Sequence, residues 1–415
     1  MLFFRKFLVS VRTSRSKFIV FFLVIVSFVV YPAILNPLGV FQRNWLPARS
    51  HTVIDNTLPL ELAWSYTTNE ALIVPPRMNS QVIVLLHGSS ILTALDIHTG
   101  QTKWEYTLDS AIGVPESKFV FDLNEEYLVI VVDKQELLAL DANSGHKIWQ
   151  RELPVSFNST SNVMLVENFV VVSAFSVVPS TEGYIASYRL GTGDFIAQIL
   201  IPSRSFGYQL SCSDSVEANN SAKEVICITL YGKLWLVELD EERLHIAETY
   251  SVPLYSFDIP SYQDGFLFSN PSPVAAPQVY DIANNKEFDL PTSCSQDNTS
   301  HPVTSYNDLI LISNGCNELY TMNISQLERD PNWVFRANEE IVSSFITIDG
   351  ELGFSLNVRG EVVGVSLANG EETGRIKTTP SHLSGGQFRN NLSVFPPYLF
   401  AIMDGTTLLA FKQEP

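Results

Sequence analysis

Positive charge is scarce in this 415-residue chain. Lys and Arg total 26 against 44 Asp and Glu, a formal net charge of −18 at pH 7. A nucleic-acid binder held by phosphate electrostatics is thereby excluded, since such proteins need a cationic surplus to displace counterions. Charge of either sign is sparse, 17% of residues, while 46% are hydrophobic; that balance excludes a disordered chain or a coiled coil. Cysteine is limited to four residues, none adjacent and none in a C-x-x-C pair, and the seven histidines are scattered, so no zinc site is expected. No G-x-S-x-G elbow, H-E-x-x-H pair or G-x-x-x-x-G-K-S/T phosphate loop occurs. Leu383-Ser-Gly-Gly-Gln387 spells the signature loop of ABC ATPases, but without a phosphate loop it reads as a glycine turn between repeats.

Long hydrophobic runs are confined to one place. Phe18 to Leu35 is apolar almost throughout, and no charge occurs between Lys17 and Arg43. At about 1.5 Å per residue, a helix over residues 18–38 covers a hydrocarbon core of roughly 30 Å. Arg5, Lys6, Arg12, Arg15 and Lys17 precede it with no acidic residue. The positive-inside rule places this basic tail, 1–17, in the cytosol and everything after about residue 38 on the other side, as a type II signal-anchor; a cleaved signal peptide is the competing reading. Setting aside the five tail cations leaves 21 basic residues against 44 acidic, a net charge of −23 for the remainder.

Two features agree with a lumenal body. Asn-x-Ser/Thr acceptors occur at Asn158, Asn219, Asn298, Asn323 and Asn391, all after the apolar run. The cysteines form two close pairs, Cys212 with Cys227 and Cys294 with Cys316. Three connectivities are open and nearest-neighbour pairing is the most economical; four free thiols are the alternative.

Self-similarity organises the rest. Leu92-Thr-Ala-Leu-Asp96-Ile-His-Thr-Gly100-Gln-Thr-Lys-Trp104 and Leu137-Leu-Ala-Leu-Asp141-Ala-Asn-Ser-Gly145-His-Lys-Ile-Trp149 match at Leu, Ala-Leu-Asp, a hydroxyl residue, Gly and Trp. Each follows an apolar run, Val82 to Leu86 and Tyr127 to Val132, of buried-strand composition. Within a block, Asp ends a strand, Gly supplies the positive φ of the turn, and Trp opens the next strand. Positions equivalent to Asp96 fall at 96, 141, 189, 240, 281, 323, 366 and 412, at intervals of 41 to 51 residues, which predicts eight units of short strands. The last unit ends without a Trp strand, whereas Leu62-Ala-Trp64-Ser-Tyr66-Thr67 near the start lacks strands before it. The expectation is a ring over residues 58–415 in which the N-terminal strand around Trp64 completes the last sheet, preceded by a linker over 39–57.

These Ala-Leu-Asp-x-x-Thr/Ser-Gly-x-x-x-Trp blocks resemble the PQQ-like repeats of eight-bladed β-propellers. Such propellers occur in bacterial quinoprotein dehydrogenases, in the propeller lipoprotein of outer-membrane barrel assembly, and in the lumenal propeller of the large subunit of the ER membrane protein complex. The resemblance implies an all-β, eight-bladed β-propeller. It does not carry a quinone here, because the vicinal Cys-Cys pair typical of the dehydrogenases is missing; no cofactor, metal or catalytic set is expected.

His98 and His146 fall in hairpin turns, and the acidic groups Glu238 to Glu242, Glu339-Glu340 and Glu371-Glu372 fall at strand ends and turns, where solvated side chains explain them. The resulting expectation is a non-catalytic scaffold tethered in the ER membrane, binding membrane or lumenal proteins in membrane-protein biogenesis or quality control. Two alternatives stand beside it. One is a Golgi or ER carbohydrate-active enzyme with two or three carboxylates in the central funnel; the other is a lumenal sensor of unfolded chains.

Overall fold

A computed structural model describes residues 53–413, apart from segments 110–119, 133–135, 154–161, 176–181, 203–209, 214–222, 230–232, 240–242, 252–260, 264–265, 270–277, 291–302, 314–316, 347–350 and 379–390 and single positions 73, 89, 283, 307, 340, 358 and 404. The apolar run at 18–38 and the stretch Leu383 to Gln387, read above as a glycine turn, lie outside the described residues. Among the described residues no helix is long and apolar enough to cross a membrane.

The described strands form eight antiparallel sheets, seven of four strands and one of five, giving a β-propeller fold. Seven are local: four successive strands pair in chain order, as in Arg77–Met78, Val82–His87, Ile91–Asp96 and Thr102–Thr107. Burial follows position within each sheet. Val82–His87 is buried at every residue, whereas Thr102–Thr107 buries only Trp104 fully. The middle strands lie between neighbouring sheets and are covered on both faces, so they read as continuous apolar runs instead of alternating ones. First strands of consecutive sheets touch one another, which identifies the innermost layer.

The eighth sheet joins the two ends of the described chain. Leu60–Thr67 pairs with Thr407–Gln413, with Trp64 opposite Ala410. The buried clusters run the same way: Trp64, Leu72 and Ile83 pack with Phe400, Ile402 and Leu408, binding the eighth sheet to the first.

Sheets are locked to one another by tryptophans. The Trp104 indole donates to the Ala142 carbonyl (3.0 Å), Trp149 to Leu190 (2.7 Å), Trp333 to Leu367 (2.8 Å) and Trp64 to Ile97 (3.0 Å). Each bond reaches the turn of the following sheet. There each ring lies on a glycine: Trp104 on Gly145, Trp149 on Gly193, Trp333 on Gly370 and Trp64 on Gly100. A Cβ on Gly145 would stand 2.7 Å from the Trp104 ring, and Gly145 has φ of +69°. Turn geometry and the neighbour's indole therefore both demand glycine. An alanine faces the tryptophan across the ladder in three sheets, Ala94, Ala139 and Ala410, leaving room for the ring.

The Trp place is filled differently elsewhere. Ala197 occupies it in the third sheet, opposite Ser187. In the seventh sheet it is Gly374, opposite Gly364. The eighth sheet has no hairpin between Thr407–Gln413 and Leu60–Thr67, because these strands come from opposite ends of the chain. A tryptophan in the seventh sheet would thus have no turn glycine to meet.

The N-terminal segment takes that space. Val53–Asn56, within the stretch read from sequence as a linker, adds a fifth strand to the seventh sheet along Glu372–Thr378. Thr57 N–H then donates to Arg375 O (2.8 Å), and Arg375 N–H to Thr57 Oγ1 (2.9 Å). A Cβ at Gly374 would lie 2.5 Å from Thr57 O, and one at Gly364 would lie 2.5 Å from Leu58 Cδ2. Leu58 is buried among Phe354, Val362, Ile376 and Phe411, between the seventh and eighth sheets. Sequence periodicity could not reveal this segment, since four residues carry no repeat.

Truncating Trp104 to alanine empties a buried aromatic site and should cost about 3 kcal/mol or more. Leu58→Ala should cost about 2 kcal/mol or more by the same cavity argument. Both should appear as lower thermal unfolding midpoints, and an unchanged midpoint for Leu58→Ala would contradict its role as a plug.

Candidate functional site

The innermost strands bound the central axis, where a propeller active site would collect its acids. Those described are Arg77–Met78, Phe121–Leu123, Asn162–Val166, Leu210–Ser213, Ser261–Gln263, Val303–Tyr306, Ile341–Ile346 and Asn391–Phe395. Their sequences contain one carboxylate, Asp122, and one fixed cation, Arg77. Arg77 Nε approaches Asp122 Oδ1 at 3.7 Å, and Leu165 N–H donates to Asp122 Oδ2 at 2.9 Å. Three consecutive sheets are thus tied through one carboxylate.

Burial pushes the Asp122 carboxyl above its ordinary value, against the opposing pull of Arg77 and the amides of Leu165 and Leu123. Its surroundings fit an inter-sheet link. A glycosidase pair needs two carboxyl groups about 5 to 10 Å apart, and the described innermost strands supply one.

A second set of inter-sheet bonds lies in the hairpins beside these strands. Asn79 Oδ1 accepts from the amides of Gln81 and Val82, both at 2.8 Å, while its Nδ2 donates to Asn124 O at 2.8 Å. Asn124 repeats the local pattern with Glu126 and Tyr127. Ser80 Oγ meets Glu125 Oε2 at 2.5 Å. The two asparagines are 45 residues apart, one repeat; that spacing was a signal in the sequence that the Trp blocks overshadowed.

Of the acidic groups noted in the sequence, Asp240 to Glu242 and Glu340 lie outside the described residues; Glu238 belongs to the fourth sheet, Glu339 to the bend before the seventh and Glu372 to the seventh, and each has a local partner. Glu238 lies 3.1 Å from His245, Glu339 is 2.8 Å from Arg359, and Glu372 is 2.7 Å from Arg375. Among the described residues no three His, Cys, Asp or Glu come together as metal ligands. His98 and His146 are exposed in their turns, and His98 Nδ1 lies 3.1 Å from Tyr398 Oη. In the turn before His146, the Ser144 hydroxyl holds the Asp141 carboxyl below its usual value; burial opposes this, and the Ser144 and Asn143 amides assist.

Of the candidate modification sites, Asn323 is described most fully. It ends the strand Glu318–Asn323, is half-buried, has extended backbone (φ −85°, ψ 132°), and precedes a 3-10 turn at Ile324–Gln326 in which Ser325 is exposed. This turn lengthens the connection, so Trp333 follows Asn323 by ten positions instead of eight. Asn391 begins a strand, while Asn158, Asn219 and Asn298 lie outside the described residues. Cys212 and Cys227 are direct partners across the Leu210–Ser213 and Lys223–Thr229 ladder. Cys294 and Cys316 lie outside the described residues.

Comparison with known proteins follows this architecture. The model of the EMC1 N-terminal beta-propeller domain matches residues 67–297. Outer membrane protein assembly factor BamB of Yersinia pestis is 28% identical over 138 residues, 33% of this chain and 31% of that protein. The chain therefore spans about a third of the length of this curated relative. The crystal structure of BamB from Moraxella catarrhalis superposes with a TM-score of 0.58 at 16% identity, covering 85% of this chain and 99% of that one. Quinohemoprotein alcohol dehydrogenase from Comamonas testosteroni superposes with a TM-score of 0.58 at 13% identity, covering 88% and 78%. At such identities the superpositions establish the fold.

The Asp122 link has a pH signature. An unfolded chain keeps this carboxyl near about 3.9, whereas the folded protein holds the proton more tightly. Stability should therefore fall as pH rises from about 4 through the elevated folded value, and level off above it. Asp122→Asn should remove that part of the slope in a plot of unfolding midpoint against pH; identical slopes would show that Asp122 is not desolvated.

Proposed function

Because the chain belongs to the EMC1 N-terminal β-propeller family, we propose that it is a non-catalytic scaffold of the ER membrane protein complex type, acting in membrane-protein biogenesis or quality control. The observation that carries this reading is the family match over residues 67–297. The single paired carboxylate on the described innermost strands supports it over the carbohydrate-active alternative. We read the eight sheets as eight blades of one ring, closed by the Leu60–Thr67 strand.

In this reading residues 18–38 anchor the chain, the basic tail stays in the cytosol, and the ring faces the ER lumen. Glycans are carried at Asn158, Asn219, Asn298, Asn323 and Asn391. The cross-strand register of Cys212 and Cys227 supports a disulfide there, with Cys294 and Cys316 as the second bridge. Partners are membrane and lumenal proteins that dock on the ring's surface and edges.

Purification of the tagged full chain in mild detergent should return a fixed set of other membrane proteins at constant stoichiometry. Recovery of the chain alone would remove the scaffold reading. Topology is tested separately: glycosidase treatment should increase electrophoretic mobility, and Asn323→Gln should remove one glycan step. Wild-type protein without any glycan would put the ring on the wrong side of the membrane.

A further inference from the structure

An outermost strand leaves a row of backbone donors and acceptors open to pairing, and proteins guard such edges with charge or cover them. This chain does both. The seventh sheet's edge is covered by Val53–Asn56. Other outermost strands carry charges such as Glu61, Glu105, Arg151, Glu248, Lys286 and Arg336.

The third sheet departs from this pattern. Its outermost strand, Phe195–Pro202, reads Phe-Ile-Ala-Gln-Ile-Leu-Ile-Pro, and no charged residue lies between Asp194 and Arg204. Among the described residues no strand pairs beyond it. Ile196, Ala197 and Ile199 pack inward against the core shared with the fourth sheet. Phe195 and Leu200 are left 50% and 52% exposed, more than any other large apolar side chain described. Packing explains the first three residues. It also gives the Phe195 ring an edge-on contact with Tyr188, 5.7 Å between centroids, but leaves half of Phe195 and of Leu200 exposed on an uncharged edge.

We propose that the Phe195–Pro202 edge binds an extended segment of another protein by strand addition, the segment being apolar in its centre and basic at its ends. The covered edge of the seventh sheet provides an internal precedent for this geometry, since the outer strand there already accepts a further antiparallel strand. Main-chain hydrogen bonds supply affinity in such pairing, and side chains on alternate positions supply selectivity. The partner's charge follows from the body's net −23: a second copy or an acidic segment is repelled, and a basic one is drawn in. This inference deepens the scaffold reading by naming a docking surface, and rests on it for the supply of partners.

The test uses the full chain in mild detergent and a fluorescein-labelled peptide of alternating valine and threonine, with two lysines at each end. Saturable binding by anisotropy is expected. Binding should weaken at least tenfold when the lysines are replaced by glutamates, when a central valine becomes proline, or when the protein carries Leu200→Lys. Leu200 is exposed, so this variant should keep the wild-type unfolding midpoint. A photo-crosslinker replacing Gln198 should join the peptide. Equal binding by wild type and Leu200→Lys, no binding, or crosslinking only to a second copy of the chain would overturn the proposal. If co-purifying proteins persist through Leu200→Lys while the peptide fails to bind, the edge is wrong and the scaffold stands; peptide binding without co-purifying proteins would fail the scaffold alone.

Discussion

An indole lying on a glycine in the next sheet is the constraint on which this architecture turns. The ring buries apolar area against a backbone that has no side chain to keep it away, and its N–H closes a hydrogen bond to a turn carbonyl. Each such bond contributes about 1 kcal/mol net. Its greater effect is geometric, because an indole held at both its face and its nitrogen fixes the distance and angle between two sheets. Four sheet-to-sheet joints use it: eighth to first, first to second, second to third, and sixth to seventh.

Where the tryptophan is missing, the joint is made by other means or left less constrained. At the seventh sheet the exception follows from connectivity, since a joint facing the chain's two ends has no hairpin glycine and is filled by Leu58. At the third sheet Ala197 leaves the joint to Ile196 and Ile199 against Trp235 and Val237. That sheet also has the uncharged outer edge, so a missing tryptophan and the most exposed apolar strand coincide.

Much of the fold is legible in the sequence because the repeat combines two periodicities, buried strands of near-constant length and a turn with fixed Asp, Gly and Trp positions. Trp64 could be matched to Trp104 by its neighbours alone. What stayed hidden depends on contacts between units. Asp122 reads in the sequence as an ordinary strand carboxylate; only the approach of Arg77 and Leu165 from two other sheets gives it meaning. Leu58 and Gly374 lie more than 300 residues apart, and neither belongs to a motif. The docking strand Phe195–Pro202 was present as a stretch without charge, but its exposure is set by its place at the end of a sheet.

The pairing of the first long strand with the last has a temporal consequence. Thr67 and Thr407, which face each other in the finished sheet with hydroxyls 3.2 Å apart, are separated by 340 positions in the chain. At a synthesis rate of about 5–20 residues per second, the leading strand leaves the ribosome roughly 20–70 s before its mate exists. For most of that interval Leu58, whose partners lie in the seventh and eighth sheets, has no core to enter, and the strand carrying Trp64 has no ladder partner, although its indole can already reach Gly100 of the first sheet.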